Sequence, residues 1–480
     1  MADHSPSPSP SPPLPPPPPS HTNNHTSPDN NNHNNNEDTS VPLLQSIITP
    51  LDRSLRHLET FLCLLGLCPF SISAVPFHPL LLPSSVFLLF GVALPTLASV
   101  LSRCSDTASS SCEEYEVDGF DNCALVSLAA VAAVSIGCVS RSLCKYGIRR
   151  FLFVDQRHCR ADSRFQKEYL TKIQGFFRLV VWWIIPCLLV KIAREVFRFM
   201  HLLNDSTWRA IVVLLASIVS WTYLTSIILS SCTLFHLVCN LHVIHFEDYC
   251  KLLEQDLDPM LYLEEHMNLR YNLLKISHRF RMFLLLLFSC VTATLFVVLF
   301  ITTAYGGKIN FTNAGDIAVS AVVHVVGLVL CLHAAAKISH RAQGIASLAS
   351  RWHALVTCST SSNDSNSTHR VPSSGNLVSL VPANFLTMDY AESDLESLEN
   401  GPVQSNTQLV SYMSSYHKRE ALVLYLLANP GGITIFGWTI DRGLLNTILM
   451  FELSLVLFVF GKTFVLPNSK SLVNSVLGLF

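Results

Sequence analysis

The stretch GLLNTILMFELSLVLFVFGKTFVL, residues 443–466, decides the class of fold. As a helix its 24 residues would be roughly 36 Å long, enough to cross the ~30 Å hydrocarbon core of a bilayer. Glu452 lies near its middle, where a carboxylate in contact with lipid is costly. We therefore predict a transmembrane helix whose acidic side chain faces protein or water.

The composition of the whole chain indicates a polytopic membrane protein. Half of the 480 residues are hydrophobic, 14% are charged, and the mean hydropathy is +0.38. Soluble domains usually carry about a quarter charged residues. The net charge of −2 gives no reason to expect a nucleic-acid partner. Six further apolar stretches predict spans in addition to 443–466: about 81–101, 122–140, 176–193, 208–238, 281–305 and 317–336.

Lysine and arginine are unevenly distributed between the loops. If the N-terminus is cytoplasmic, 21 of the 32 basic residues lie in cytoplasmic segments and eight lie outside. The positive-inside rule therefore predicts a cytoplasmic N-terminus and, after seven spans, an extracellular C-terminus. The glycosylation sequons at Asn204 and Asn310 then fall in outer loops. Lys191 and Arg194, at the predicted outer end of the third span, are expected to extend towards the headgroups.

Five regions follow from composition and patterning. Residues 1–40 are rich in Ser, Pro and Asn and are predicted to form a disordered tail. Residues 41–357 form a six-span bundle that begins with an amphipathic helix at the cytoplasmic surface and carries helical extensions into the cytosol. Residues 358–415 are a disordered cytoplasmic insertion, 416–430 a short cytosolic half-helix ended by a Pro-Gly-Gly break, and 431–480 the last membrane segment with a short extracellular end.

Several features together resemble the plant gustatory-receptor-like family, long labelled only as a domain of unknown function and related to insect odorant and gustatory receptors. They are the over-long fourth span, the charged and apparently helical loop 241–279, and a last helix split into cytosolic and membrane parts. In sequence, GGITIFG at 431–437 and NTILMFELSLVLF at 446–458 carry the resemblance. The relationship implies an all-α, seven-helix, ligand-gated cation channel. It further implies a homotetramer in the plasma membrane, with the last helices around a central pore and a small-molecule ligand.

The last span has one broad face that we assign to the pore. At 100° per residue, the side chains on this face are Ile448, Phe451, Glu452, Leu455, Phe458, Val459 and Lys462. Asn446, Ser454 and Gly461 lie on the opposite face, and small, weakly polar residues favour close packing between helices.

In a tetramer, four Glu452 carboxylates would form a ring that favours cations, and Leu455 with Phe458 would form a hydrophobic constriction. The insect Thr-Tyr and Gln-Phe signature is replaced here by Phe451-Glu452 and Phe458-Val459. The alternative is that Glu452 is protonated or pairs with a buried partner and lines nothing.

The resemblance also implies a ligand pocket among the outer halves of spans two, three, four and six. Trp221 and Tyr223, in span four, are the aromatic candidates for contact with a ligand. Packing against neighbouring helices is the alternative for both residues.

The sequence predicts neither an enzyme, a cofactor nor a metal site. His236, His242 and His245 with Glu247 are similar to the metal boxes of membrane desaturases, but their spacing is loose, so we interpret them as a solvated helix face. Strand-like alternation is absent. The competing function is a non-conducting scaffold or a small-molecule transporter of the same topology. A transporter usually shows paired broken helices in two repeats, and a single broken helix favours the channel.

Overall fold

A computed structural model describes residues 50–68, 81–103, 112–153, 163–202, 207–255, 258–304, 311–363 and 414–463. They all belong to one unit that begins at Ile48. The predicted tail at 1–40, most of the predicted insertion at 358–415, and the sequons at Asn204 and Asn310 lie outside the described residues.

Helices account for nearly all of the described chain. Each of the seven predicted spans falls on a helix, and the first contains a π-helical segment at Leu88–Ala93. The helices are α1 (Pro50–Leu64), α2 (Leu81–Phe87), α3 (Leu94–Arg103), α4 (Cys112–Leu152), α5 (Ser163–Leu202), α6 (Thr207–Leu252), α7 (Pro259–Ala304), α8 (Phe311–Asn363), α9 (Ser415–Ala428) and α10 (Arg442–Thr463).

Five of these helices, α4 to α8, are long and apolar enough to cross a membrane, so the chain is a multi-pass membrane protein. About 20 residues suffice for a span, whereas α6 has 46 residues and α8 has 53. The excess turns continue beyond the apolar stretches. The count of seven spans and their direction stay predictions.

Helices α6 and α8 form the centre of the bundle. They contact each other, and both contact α4 and α5. Gly327 of α8 makes the central contact close, because an added Cβ there would lie 3.1 Å from Sγ of Cys232 on α6. The outer helices expose large apolar side chains such as Trp182 on α5 and Phe300 on α7, as expected of surfaces that face lipid.

Helix α1 is amphipathic, as predicted. Leu51, Leu55, Leu58 and Leu62 follow helical spacing and are all buried. Phe61 extends the contact to α5, with its ring edge-on to Phe176 and Phe177 at centroid distances of 6.1 and 5.6 Å. Its position at the cytoplasmic surface stays a prediction.

A β-hairpin that the sequence analysis did not predict connects α9 and α10. Strand β1 (Thr434–Ile435) pairs antiparallel with β2 (Trp438–Thr439). Both turn residues have positive φ, 47° at Phe436 and 84° at Gly437, as a type I′ turn requires. Phenylalanine rarely adopts this conformation, so Gly437 alone signalled the turn.

The hairpin is fixed to the bundle by two buried serines. The amide of Ile433 donates to Oγ of Ser339 on α8 at 3.0 Å, and the amide of Thr434 donates to Oγ of Ser277 on α7 at 3.2 Å. Gly431 allows this approach, since an added Cβ would lie 3.0 Å from Cβ of Ala342. The break before the last helix is therefore anchored to α7 and α8.

Candidate ligand cavity and the last helix

Helices α3, α4, α5, α6 and α8 enclose a cavity of about 100 Å³. An apolar cavity of about 150 Å³ is known to bind benzene, so this space suits a molecule of a few heavy atoms or several waters. Its wall includes Ala98, Leu128, Lys191, Glu195, Trp221 and Asp316, one or two from each helix.

Lys191 of α5 forms part of the wall and is paired with two carboxylates. Its Nζ donates to Oε1 of Glu195 at 2.7 Å and to Oδ1 of Asp316 at 2.6 Å. The Lys191 side chain is only 2% exposed. This contact therefore joins α5 to α8 inside the bundle.

Arg194 extends the same cluster to α4. Its guanidinium donates to Oδ1 of Asp121 at 2.7 Å and to Oε1 of Glu195 at 2.9 Å, and lies 2.7 Å from Oδ2 of Asp316. The side chain is 1% exposed. The prediction that Lys191 and Arg194 extend towards the headgroups is wrong, because Asp121 and Asp316 arrive from α4 and α8 and pair with them.

Three polar groups of the cavity lining have no hydrogen-bond partner among the described residues. They are the hydroxyls of Ser220 and Ser320 and the indole Nε1 of Trp221, all buried. A buried polar group left unpaired costs about 1–3 kcal/mol. These groups are therefore available to a ligand or to water that enters the cavity.

The two aromatic candidates of span four are placed differently. Trp221 lines the cavity. Tyr223 does not: its hydroxyl donates to the carbonyl of Leu65 at 3.3 Å, and its ring lies 5.6 Å from that of Phe90. The structure thus brings Trp221 to the cavity and gives Tyr223 a contact between helices.

Glu452 of α10 is completely buried within its own chain. The hydroxyl of Thr292 on α7 lies 2.7 Å from its Oε1 and 2.9 Å from the carbonyl of Phe288, while Oε2 has no partner in the described chain. One hydroxyl hydrogen shared between two acceptors makes only a weak, bifurcated bond to each. A protonated Glu452 that donates to Thr292, which in turn donates to Phe288, satisfies this chain of hydrogen bonds.

The residues of the predicted pore face of α10 do not all point the same way in the structure. Ile448 and Leu455 are half-buried with Glu452 on the side that contacts α7 and α8, whereas Phe451 and Phe458 are each 44% exposed. The side chains of Val459 and Lys462 lie outside the described part of the chain.

The opposite face, with Asn446, Ser454 and Gly461, is exposed. Within one chain, α10 therefore packs through the larger side chains and not through the small ones. A pore exists only in an assembly, so the pore-lining role stays a prediction.

The histidines of α6 are not a solvated face. His242 is buried, with Nε2 3.3 Å from the carbonyl oxygen of Leu269, and His245 Nε2 lies 2.8 Å from the hydroxyl of Tyr169. The prediction of a solvated face is wrong because α5 and α7 cover this part of α6. Across the described ranges, no three His, Cys, Asp or Glu side chains are grouped to hold a metal ion.

A family profile matches residues 53–451, and its description is "Protein of unknown function (DUF3537)". The chain belongs to the DUF3537 family. The match includes the cavity, the hairpin and the first half of α10. A comparison with curated proteins finds no match for this DUF3537 chain.

Among solved structures, the DUF3537 chain is similar to the insect olfactory receptor OR5 from Machilis hrabei, determined in complex with eugenol. The alignment covers 85% of this chain and 98% of that one, with 11% sequence identity and a TM-score of 0.48. At this level the similarity does not transfer a function.

The sequence analysis of this DUF3537 member missed most of the charged cluster. Asp121 and Asp316 lie 73 and 125 residues from their partners, and helical periodicity carries no information on such contacts. The one local signal was the i, i+4 spacing of Lys191 and Glu195 at the end of an apolar stretch.

Proposed function

We propose that this chain is a subunit of a homotetrameric, ligand-gated cation channel, in which a small molecule binds in the cavity and α10 lines the pore. The observation that carries the proposal is the composition of the cavity: buried groups without partners, Trp221 Nε1 among them, lie beside a cluster of paired charges. A ligand that forms hydrogen bonds with these groups should bind such a site more tightly than one that does not.

Helix α8 provides a physical connection from the cavity to the last helix. It carries Asp316 and Ser320 at the cavity, and about five turns later it holds the hairpin through Ser339. It also packs against α10. A ligand that shifts α8 would therefore act on both the start and the body of the proposed pore helix.

The outward face of α10 supports its role in an assembly. Met450, Leu457 and Phe458 are exposed apolar side chains in one chain and need lipid or other subunits to cover them. Glu452 would reach a central pore only if α10 turned away from Thr292, so we assign the Glu452–Thr292 contact to the closed channel. Glu452→Gln is then expected to lower the cation preference of the open channel. Unchanged ion selectivity would exclude a ring of four Glu452 carboxylates around the pore.

Currents from the full chain in oocytes, recorded with a panel of small molecules, test the proposal. Trp221→Phe removes the indole N–H and keeps an aromatic ring, so the half-maximal ligand concentration should rise about tenfold, the value of one hydrogen bond. Trp182→Phe, at an exposed position on α5, is the matched control and should leave it unchanged.

The competing function is a non-conducting scaffold or transporter. It predicts no ligand-dependent current and no fourfold assembly. Native mass spectrometry that finds only monomers of 53.3 kDa in lipid nanodiscs would remove the pore and favour the alternative.

A further inference from the structure

Basic side chains converge where three helices meet the end of their apolar stretches. Lys172 lies just before the apolar stretch of α5, and Lys337 lies just after that of α8. Asn240, just after the apolar stretch of α6, accepts a hydrogen bond from Lys337. The three helices contact one another, and each of these residues lies at an end of an apolar stretch, so we place the cluster at one boundary between hydrocarbon and water.

The contacts of the cluster bring four basic side chains together. Nζ of Lys337 donates to Oδ1 of Asn240 at 3.0 Å, and the amide nitrogen of Asn240 lies 3.0 Å from Nδ1 of His236. Lys172, His333 and Lys337 are all close enough to His236 to act on it electrostatically, and Lys172 also acts on Lys337.

Within the described part of the chain, neither lysine forms an ion pair with a carboxylate. Lys172 is exposed and interacts electrostatically with basic groups, and the hydrogen bond of Lys337 goes to the neutral amide of Asn240. The acid that acts on Lys337 is Glu247, which pairs with Arg341 at 3.5 Å. Like charges held together without a counterion repel each other, so the cleft favours an anion.

We propose that this cleft binds the phosphate-bearing headgroup of an anionic phospholipid. Lys172 and His333 are exposed and Lys337 is half-buried, so a headgroup can reach all three from the bilayer side of the boundary. About three to four turns after Lys172, α5 exposes Trp182 and Ile185 at the depth of acyl chains. Basic pockets between membrane helices are a known form of anionic lipid site.

Native mass spectrometry on the delipidated full chain in detergent tests this site. Phosphatidylinositol 4-phosphate is titrated against phosphatidylcholine as the neutral comparison. Each lysine near such a headgroup is expected to contribute about fivefold to affinity, so Lys172→Gln should weaken binding about fivefold and the double variant with Lys337→Gln about 25-fold. The Lys337→Gln substitution removes the charge, and its new amide group keeps a donor for Asn240.

Lys167→Gln is the matched control, because Lys167 is exposed on the same helix but on a different face from Lys172. It should bind lipid as the wild type does. Among the described residues, the exposed side chain of Lys172 forms no hydrogen bond or ion pair, so its single variant remains informative if the double variant loses its fold.

Two competition experiments distinguish a lipid headgroup from a free phosphate ion as the ligand. Inorganic phosphate and the soluble inositol phosphate headgroup are added as competitors. Competition at the affinity of the lipid itself would show a site for free anions and overturn the lipid proposal. Equal binding of phosphatidylcholine, or undiminished binding by Lys172→Gln and by the double variant, would overturn the site altogether.

Discussion

At the scale of single residues, Arg194 and Lys191 show how charges persist in a membrane bundle. Both side chains are almost completely buried, and each forms an ion pair with a carboxylate on another helix. Burial of an ion pair is seldom favourable by itself, but loss of one partner is costly because it leaves a buried charge without compensation. The cluster is therefore sensitive to the loss of any one member.

Arg194→Met should destabilise the protein by about 3–5 kcal/mol, since it leaves Asp121 and Asp316 without their guanidinium. Arg149→Met is the control: Arg149 pairs with Asp52 at 2.6 Å, but its side chain is 66% exposed, and such pairs contribute about 0–1 kcal/mol. The free energy of unfolding of both variants is measured by denaturation in detergent micelles. Equal losses in the two variants would contradict the role of burial.

The Thr292–Glu452 contact gives a second prediction at this scale. If Glu452 is protonated, Glu452→Gln should change stability little, since the amide can donate to Thr292 as the protonated acid would. Thr292→Val should cost about 1–3 kcal/mol, because Glu452 then has no hydrogen-bond partner. The reverse order of the two losses in the same denaturation experiment would show that Glu452 is ionised in the closed bundle.

At the scale of elements, hydrophobic periodicity predicted the helices well and the break before α10 in part. The Pro-Gly-Gly sequence predicted the end of α9. It did not predict the hairpin, because two-residue strands have no periodicity, nor the serines of α7 and α8 that hold it. The same holds for α10: helical phase placed Glu452 and Leu455 on one face, but only the packed bundle determines which way that face points.

Gly431→Ala should move the break away from α8. The added methyl would lie 3.0 Å from Cβ of Ala342, a tighter contact than nearly all side chains make, so one of the two must shift by a few tenths of an ångström, at a cost of about 1–3 kcal/mol. Gly344→Ala on α8 is the control, since no atom lies within 4 Å of its added Cβ, and helix propensity should make it neutral or stabilising. The melting temperatures of the two variants in detergent are compared. An unchanged melting temperature for Gly431→Ala would show that the Pro-Gly-Gly segment is only loosely attached to α8.

At the scale of the whole molecule, α6 and α8 both contribute to the cavity and to the basic cleft, and α8 also packs against the last helix. Composition was sufficient to predict a helical membrane protein. The cavity could not be derived in the same way, because five helices supply its wall and their arrangement depends on contacts between distant residues. The resemblance predicted a ligand pocket among spans two, three, four and six, and the use of this cavity by a ligand stays a prediction; the charges that line it were found only in the structure.

The orientation of the chain is a prediction for the whole molecule. An epitope placed before Met1 should be stained only after cells are permeabilised, and one placed after Phe480 should be stained in intact cells. The reason is the excess of lysine and arginine in the segments assigned to the cytoplasm. Staining of both epitopes under the same condition would mean an even number of spans.

The charged cluster has a consequence for how the chain is made. Asp316 is added 125 residues after Lys191, which at cellular rates of synthesis is a delay on the order of 10 s. During that interval Lys191 has the carboxylate of Glu195, and Arg194 has those of Asp121 and Glu195, but both lack Asp316. A ribosome that stops before α8 thus leaves α5 without the ion pairs that join it to α8, and the cluster is complete only once α8 has been inserted beside α5.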